Sequence, residues 1–266
     1  MALKELLIFR RHGRQYIPDL EKPVLPDVFG GRPVIRPGWT GEEGETAVAL
    51  CPTGAIGYRA STLSLDLGKC LFCRACAIAF PDKITFTNDY RTAVNRRENL
   101  VITSGTDRTL TIDPAMIRKE IRTLFRGALK LRQVSAGGDN SAEMELNAAG
   151  NVNFDMGRFG IEFVASPRHA DGIVITGPVT RNMSEALYQT YEAVPSPKLI
   201  ILAGTDAISG GIYATGRELD RSFLSEFPAD LFIPGNPPHP LTFILGVLDL
   251  VRPGVIAEGN HFATPP

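Results

Sequence analysis

Gly172-Ile173-Val174-Ile175-Thr176-Gly177-Pro178 is an unbroken apolar run that ends in glycine, and Lys198-Leu199-Ile200-Ile201-Leu202-Ala203-Gly204 repeats the pattern. Apolar runs without polar alternation predict strands covered on both faces, as in a parallel sheet. Between them, Asn182-Met183-Ser184-Glu185-Ala186-Leu187-Tyr188 through Ala193 has helical spacing and stops at Val194-Pro195, because a residue before proline leaves the α region. Asp230-Leu231-Phe232-Ile233-Pro234-Gly235 is a third such run, followed by a helix-like segment from Leu241 to Val251. Strand, helix and strand repeated in this way predict a parallel α/β layer sandwich. Ligands of such sheets bind at the carboxyl ends of the strands.

All four cysteines lie upstream of these strands. Cys70, Cys73 and Cys76 form a C-x2-C-x2-C run, and Cys51 stands in Cys51-Pro52-Thr53-Gly54-Ala55-Ile56. In two-cluster bacterial ferredoxins, three cysteines of such a run hold one cluster and the cysteine before proline ligates the other. Cys51, Cys70, Cys73 and Cys76 thus read as one complete ligand set for one [4Fe-4S] cluster. Counting back from Cys51 by the same spacing reaches Ala47, Gly44 and Gly41, and Phe80-Pro81 stands where the second run would end. A second cluster therefore has no ligands. Zinc also takes thiolates, but structural zinc sites draw on two separated pairs rather than a triplet and a distant Cys-Pro. Disulfides fit least, since nothing marks secretion and cysteines three apart are poor mutual partners.

The 266 residues suffice for one large domain or two ordinary ones. With 44% hydrophobic residues and a net charge of −1, the chain is packable and carries no bias toward nucleic acid. Its start is apolar only briefly and runs into Arg10-Arg11, unlike a signal peptide. No stretch approaches the roughly 18 to 20 apolar residues that cross a bilayer, so any membrane association is expected through partners. Thiols kept for a metal site fit a reducing, cytoplasmic compartment. Residues 1–35, with Pro18, Pro23, Pro26 and Pro33, read as an extended docking arm. Residues 36–100 read as a ferredoxin-like 4Fe-4S domain with short strands at Ile56-Gly57-Tyr58 and Ile84-Thr85-Phe86-Thr87. Over 101–130 a connector helix is expected, N-capped by Asp113 with Pro114 in its first turn and running through Ile117, Ile121, Leu124 and Phe125 to Leu131. Residues 131–266 form the α/β domain.

Within that last region, Arg158-Phe159-Gly160-Ile161-Glu162-Phe163-Val164-Ala165-Ser166-Pro167-Arg168-His169-Ala170-Asp171 and Val174-Ile175-Thr176-Gly177-Pro178-Val179-Thr180-Arg181 are followed by Gly204-Thr205-Asp206-Ala207-Ile208-Ser209-Gly210-Gly211 and Ile233-Pro234-Gly235-Asn236-Pro237-Pro238-His239-Pro240. These motifs resemble the small electron-transfer subunit shared by group 4 [NiFe] hydrogenases, formate hydrogenlyase and, as its 20 kDa component, complex I. Some relatives carry an N-terminal ferredoxin module as well. The resemblance implies a proximal [4Fe-4S] cluster held by four cysteines on three loops. Here Asp139, Ala142, Asp206 and Asn236 occupy those positions. Carboxylates and an amide are hard oxygen ligands, ill suited to sulfide-bridged iron. The vacated loops are expected to form a hydrogen-bonded or hydrated polar network, with a hard cation as the alternative.

The function implied is a peripheral iron-sulfur subunit of a membrane-attached hydrogenase-like or complex I-like assembly. It would dock a large subunit like the 49 kDa subunit of complex I, meet antiporter-like membrane subunits only indirectly, and serve a largely structural or coupling role. Active electron transfer is the alternative, and an independent enzyme using Asp139 and Asp206 as an acid-base pair is a third reading. His169 and His239 read as structural, while Arg158, Arg168 and Arg181 are candidates for partner contacts or surface pairing. Gly204, Gly210 and Gly211 lack the spacing of a phosphate loop, and Trp39 is a candidate docking residue.

Overall fold

A computed structural model of the protein describes residues 3–252 except Arg14, Val24 and Asp27, without the side chains of Leu3, Phe9 and His12. The expected α/β domain thus runs beyond the described residues at its carboxyl end. Helix α1 (Leu3–His12) opens the chain, followed by β1 (Pro33–Ile35), α2 (Gly41–Leu50), β2 (Ile56–Arg59), β3 (Thr62–Asp66), α3 (Ala75–Ala79) and β4 (Ile84–Phe86). β1 pairs antiparallel with β4. β3 lies between β2 and β5 (Val101–Thr103) in a second antiparallel sheet. A Thr40–Glu43 capping box starts α2, with the Thr40 hydroxyl accepting from Glu43 N and the Glu43 carboxylate accepting from Thr40 N.

The chain then forms α4 (Lys119–Leu124), β6 (Leu129–Ser135), α5 (Ser141–Ala149), β7 (Ile161–Phe163), β8 (Gly172–Thr176), α6 (Arg181–Ala193), β9 (Leu199–Ala203), α7 (Thr205–Ser209), α8 (Ser222–Glu226), β10 (Leu231–Ile233) and α9 (Pro240–Val251). Five strands make one parallel sheet in the order β10-β9-β8-β6-β7. Every residue of β8 and β9 is buried, as their unbroken apolar runs require. The two faces of the sheet serve different cores. Ile173, Ile175, Ile200 and Leu202 point into a core that also holds Leu65, Leu67, Cys70, Cys76, Ile208 and Phe223. Val174, Leu199, Ile201 and Ala203 point into a core built with Leu20, Leu146 and the apolar α9. The cysteine region thus shares with α6 and α8 the layer that covers one face of the sheet.

Two expected elements differ. Asp113 does accept a hydrogen bond from Ala115 N, at 3.0 Å, but the helix it caps is one 3-10 turn over Pro114–Met116. The six-residue α4 follows, and Leu131 lies within β6, fully buried opposite Phe163 and Gly172. The reason is a change of period: Leu129 and Leu131 alternate with Lys130 and Arg132, which suits a strand covered on one side. The arm is helical over Leu3–His12 rather than extended, since its prolines begin only at Pro18. Beyond that helix it lies on the α/β layer: Ile17 N donates to Asn153 O at 2.9 Å, Tyr90 Oη donates to Leu20 O, and Leu20 is buried.

A cysteine pocket beside a thiol-free loop cluster

Cys51, Cys70, Cys73 and Cys76 line one pocket, together with Leu50, Ala55, Ile56, Leu65 and Phe86. Local backbone geometry brings them there. Phe72 and Arg74 both adopt left-handed conformations, with φ of 55° and 61°, a cost that non-glycine residues bear only where their surroundings enforce it. Arg74 is held by its Nη2, which donates to Val28 O at 2.7 Å. Backbone amides point at the sulfurs: Ala55 N donates to Cys51 Sγ at 3.2 Å and Phe72 N to Cys70 Sγ at 3.3 Å. Asp66 accepts from Gly68 N and receives a bidentate pair from Arg97 at 2.8 and 2.7 Å, which fixes the turn leading into Cys70.

Cys70 and Cys76 are buried, Cys51 is partly so and Cys73 is exposed. Burial pushes the Cys70 thiol up to about 12 and raises that of Cys76, with the neighbouring thiols adding to both shifts. A positive partner such as a metal ion would favour the thiolate forms of Cys70 and Cys76. Among the described residues no group of three or more His, Cys, Asp or Glu side chains is placed to hold a single metal ion. Four soft sulfur donors with amide hydrogen bonds in an apolar lining suit an iron-sulfur cluster, which spreads its thiolates over several irons.

Of the positions left over from the ferredoxin pattern, Gly44, Ala47 and Phe80 are packed, while Gly41 faces open space. Gly41, Gly44 and Ala47 lie on α2, and Gly44 and Ala47 are buried. A Cβ added at Gly44 would meet the Tyr58 ring at 2.4 Å. Trp39, 4% exposed, stacks edge-on against Phe80 with centroids 5.2 Å apart, and its Nε1 donates to Arg36 O at 2.8 Å. Trp39 is therefore a core residue and not a docking surface. Three aromatic rings occupy the neighbourhood of the missing ligands.

The second set of positions also converges. Asp139, Ala142, Asp206 and Asn236 line a single pocket with Glu143, Thr205 and Gly235. The loops that carry them follow β6, β9 and β10 at the carboxyl edge of the sheet. The loop after β8 closes in as well, because a Cβ at Gly177 would meet Gly138 N at 2.5 Å. Asp139 Oδ1 accepts from Ser141 N at 2.9 Å and from Ser141 Oγ at 2.6 Å, and these bonds hold its carboxyl below the usual range. Thr176 Oγ1 donates to the buried Glu143 at 2.6 Å. Asp206 is pushed the other way, chiefly by burial and then by the charges of Asp139 and Glu143. Asn236 is exposed and does not join a closed network. The opposite shifts of Asp139 and Asp206 come from a local turn and from burial.

Thr205 joins the two sites. Fully buried, its hydroxyl lies 2.8 Å from Cys70 O and 3.1 Å from Gly235 O. One proton serves two carbonyls, one on the cysteine loop and one on the loop after β10. The only signal in the sequence was its place beside Asp206. His239 is structural as expected: its Nδ1 accepts from Leu241 N at 3.2 Å at the start of α9, and burial lowers its pKa to about 4. His169 and Arg168 are exposed. Arg158 grips the chain's own arm, donating to Ile17 O and lying 4.8 Å from the Tyr16 ring. The Arg181 amide donates to Glu218 O at 2.8 Å.

Residues 140–250 match the family described as NADH ubiquinone oxidoreductase, 20 Kd subunit. A probable membrane-bound hydrogenase subunit, mbhJ, of Pyrococcus furiosus is 38% identical over 119 residues, spanning 43% of this chain and 69% of that protein. An NADH-quinone oxidoreductase subunit of Citrifermentans bemidjiense is 38% identical over 121 residues, spanning 46% of this chain and 70% of that protein. Among solved structures, a chain of the membrane-bound sulfane sulfur reductase, an archaeal respiratory membrane complex, is 29% identical with a TM-score of 0.43, covering 51% of this chain and 73% of that one. With its parallel sheet, its converging strand-end loops and relatives matched over more than two thirds of their length, the chain belongs to the family of the 20 kDa subunit of NADH ubiquinone oxidoreductase.

Proposed function

We propose that this chain is a peripheral subunit of a membrane-attached hydrogenase-like or complex I-like assembly. In this reading Cys51, Cys70, Cys73 and Cys76 hold one [4Fe-4S] cluster, while the strand-end loops around Asp206 are redox-silent and serve to dock a large subunit. When bound, such a cluster supplies one-electron redox chemistry. The chain's own residues orient the thiols, exclude water from Cys70 and Cys76, and tie the loop to the sheet through Thr205. The observation that carries the reading is the contrast between adjoining pockets: one holds every cysteine of the chain, and the other keeps its strand-end architecture with no thiol. No helix among the described residues is long and apolar enough to cross a membrane, and the relatives carry the names of membrane-bound hydrogenase and NADH-quinone oxidoreductase subunits. Association with the membrane is therefore assigned to partner subunits.

Iron and acid-labile sulfide analysis of anaerobically purified protein tests the cofactor. Four irons and four sulfides per chain are expected for one [4Fe-4S] cluster, and zinc without sulfide would end the reading. Electron transfer is a second reading, favoured by the exposure of Cys73, which places one edge of the site at the surface. Cys73→Ser separates the two. Loss of complex assembly is expected for a structural cluster, whereas an assembled but inactive complex would assign the site to electron transfer.

A further inference from the structure

Lys119, Arg122 and Arg126 converge with Arg252 around an open pocket of about 440 Å³. Ile117 and Val251 give it an apolar part, and Thr123 contributes a hydroxyl. Among the described residues no carboxylate belongs to the lining, and Lys119, Arg122 and Arg126 form no ion pair. Glu120, the one acid of α4, is not in the lining. Arg252 is anchored at the edge of the sheet layer, its Nη2 donating to Gly127 O at 3.0 Å and Phe159 O at 2.9 Å. Burial lowers its pKa, and the charge of Arg126 lowers it further. Lys119, Arg122 and Arg126 are exposed like charges on one wall of the pocket, and a multivalent anion relieves their mutual repulsion.

We propose that this pocket binds a phosphate-bearing ligand, with the guanidinium groups of Arg122 and Arg126 and the ammonium of Lys119 facing the phosphate and Arg252 forming part of the wall. Planar guanidinium forks match phosphate oxygens in pairs, and a lysine adds a point charge. The volume suits a small phosphorylated molecule or a phospholipid headgroup. Met116 and Leu124, both exposed, lie on the same stretch of chain as Lys119 and Arg122, where a headgroup with acyl chains would find apolar contact. The site stands on residues that neither the cysteine pocket nor the loops around Asp206 use, so it survives the failure of either.

The test uses the purified full-length chain. Binding to phosphatidylcholine vesicles with and without phosphatidylglycerol is measured by flotation, and binding of inorganic pyrophosphate by calorimetry. At least a tenfold loss of affinity is expected in R122Q/R126Q, with the double lysine variant R122K/R126K retaining part of it. R36Q/R59Q removes two exposed charges elsewhere and is expected to bind as the parent chain does. Binding only to phosphatidylglycerol vesicles identifies a headgroup, and binding only to pyrophosphate identifies a soluble phosphate. The proposal is overturned if the parent chain binds neither probe, or if R36Q/R59Q loses as much as R122Q/R126Q. Circular dichroism and the thermal midpoint of each variant guard against unfolding as the cause.

Discussion

Two sets of positions in this chain are those at which the cysteine spacing and the family resemblance imply cluster ligands, and their surroundings differ. Around Gly44, Ala47 and Phe80 the space is closed by Trp39, Tyr58 and Phe80 as part of the hydrophobic core, while Gly41 opens to solvent. Around Asp139, Asp206 and Asn236 the loops still meet at the carboxyl edge of the sheet, but polar side chains line the gap. The difference follows from position. The first set lies between two short helices and small sheets, where an unfilled volume would forfeit dispersion contacts on every side. The second lies at the end of a sheet, where water reaches Asn236. A vacated site inside a core is repacked, whereas one at a surface can stay polar.

Substitutions put this contrast at risk, and the aromatic side carries the heaviest cost. Trp39→Ala should cost about 3–5 kcal/mol, the usual range for truncating a buried aromatic side chain, as read from urea denaturation. A loss below about 1 kcal/mol would mean that the ring is not part of a closed core. Gly44→Val adds atoms where the Tyr58 ring already sits at 2.4 Å from a built Cβ. About 1–3 kcal/mol of destabilisation is expected from that overpacking, and Tyr58→Ala in the same chain should recover part of it. If the two substitutions are simply additive, the aromatic filling is not what Gly44 serves.

Thr205→Val keeps the shape and removes the hydroxyl shared by Cys70 O and Gly235 O. Leaving a buried carbonyl without its donor should cost about 1–3 kcal/mol, and Thr205→Ser should restore most of it. If the cysteines hold a cluster, Thr205→Val should also alter its electron paramagnetic resonance spectrum, because the loop carbonyl of a ligand is released. An unchanged spectrum would make Thr205 a stability residue alone.

The mildest change carries the opposite sign. Burial raises the carboxyl of Asp206 above its ordinary value in the folded chain, so the folded state binds a proton that the unfolded state has released. Stability from this group therefore rises as the pH falls from the folded pKa toward the unfolded value, and declines as the pH rises through that window. Asp206→Asn should remove that dependence and leave the protein at pH 7 unchanged or more stable by less than about 1 kcal/mol. Asp139 runs the other way: its carboxyl is lowered by Ser141, so its contribution is present above the unfolded pKa and fades on acidification. Should Asp206→Asn destabilise the chain strongly at neutral pH, the strand-end pocket would be a polar core as specific as the aromatic one.

Much of this was legible in the chain. β8 and β9 follow from their apolar runs because a strand buried on both faces needs no register with polar residues. α6 is bounded by its proline, and the spacing of Cys70, Cys73 and Cys76 places three sulfurs on one local turn. The misreadings share a cause, which is that short windows cannot see their partners. Leu131 fits a helix when read with Ile121 and Leu124, and only its pairing with Phe163 and Gly172 makes it a strand residue. Trp39 looks like a single exposed ring until Phe80 arrives 41 positions later to cover it.

The parallel α/β layer, the likeness to the 20 kDa family and the single complete set of thiols can all be read from the order of residues, since each is written in spacings of a few positions. Folding was needed to establish that the cysteine region packs with α6 and α8 on one face of the sheet, that Thr205 links Cys70 to the loop after β10, and that Lys119, Arg122 and Arg126 meet Arg252. Those contacts join residues up to 135 positions apart in the case of Thr205. Loop-closure entropy gives no local hint of such pairings; only burial of the shared core repays it.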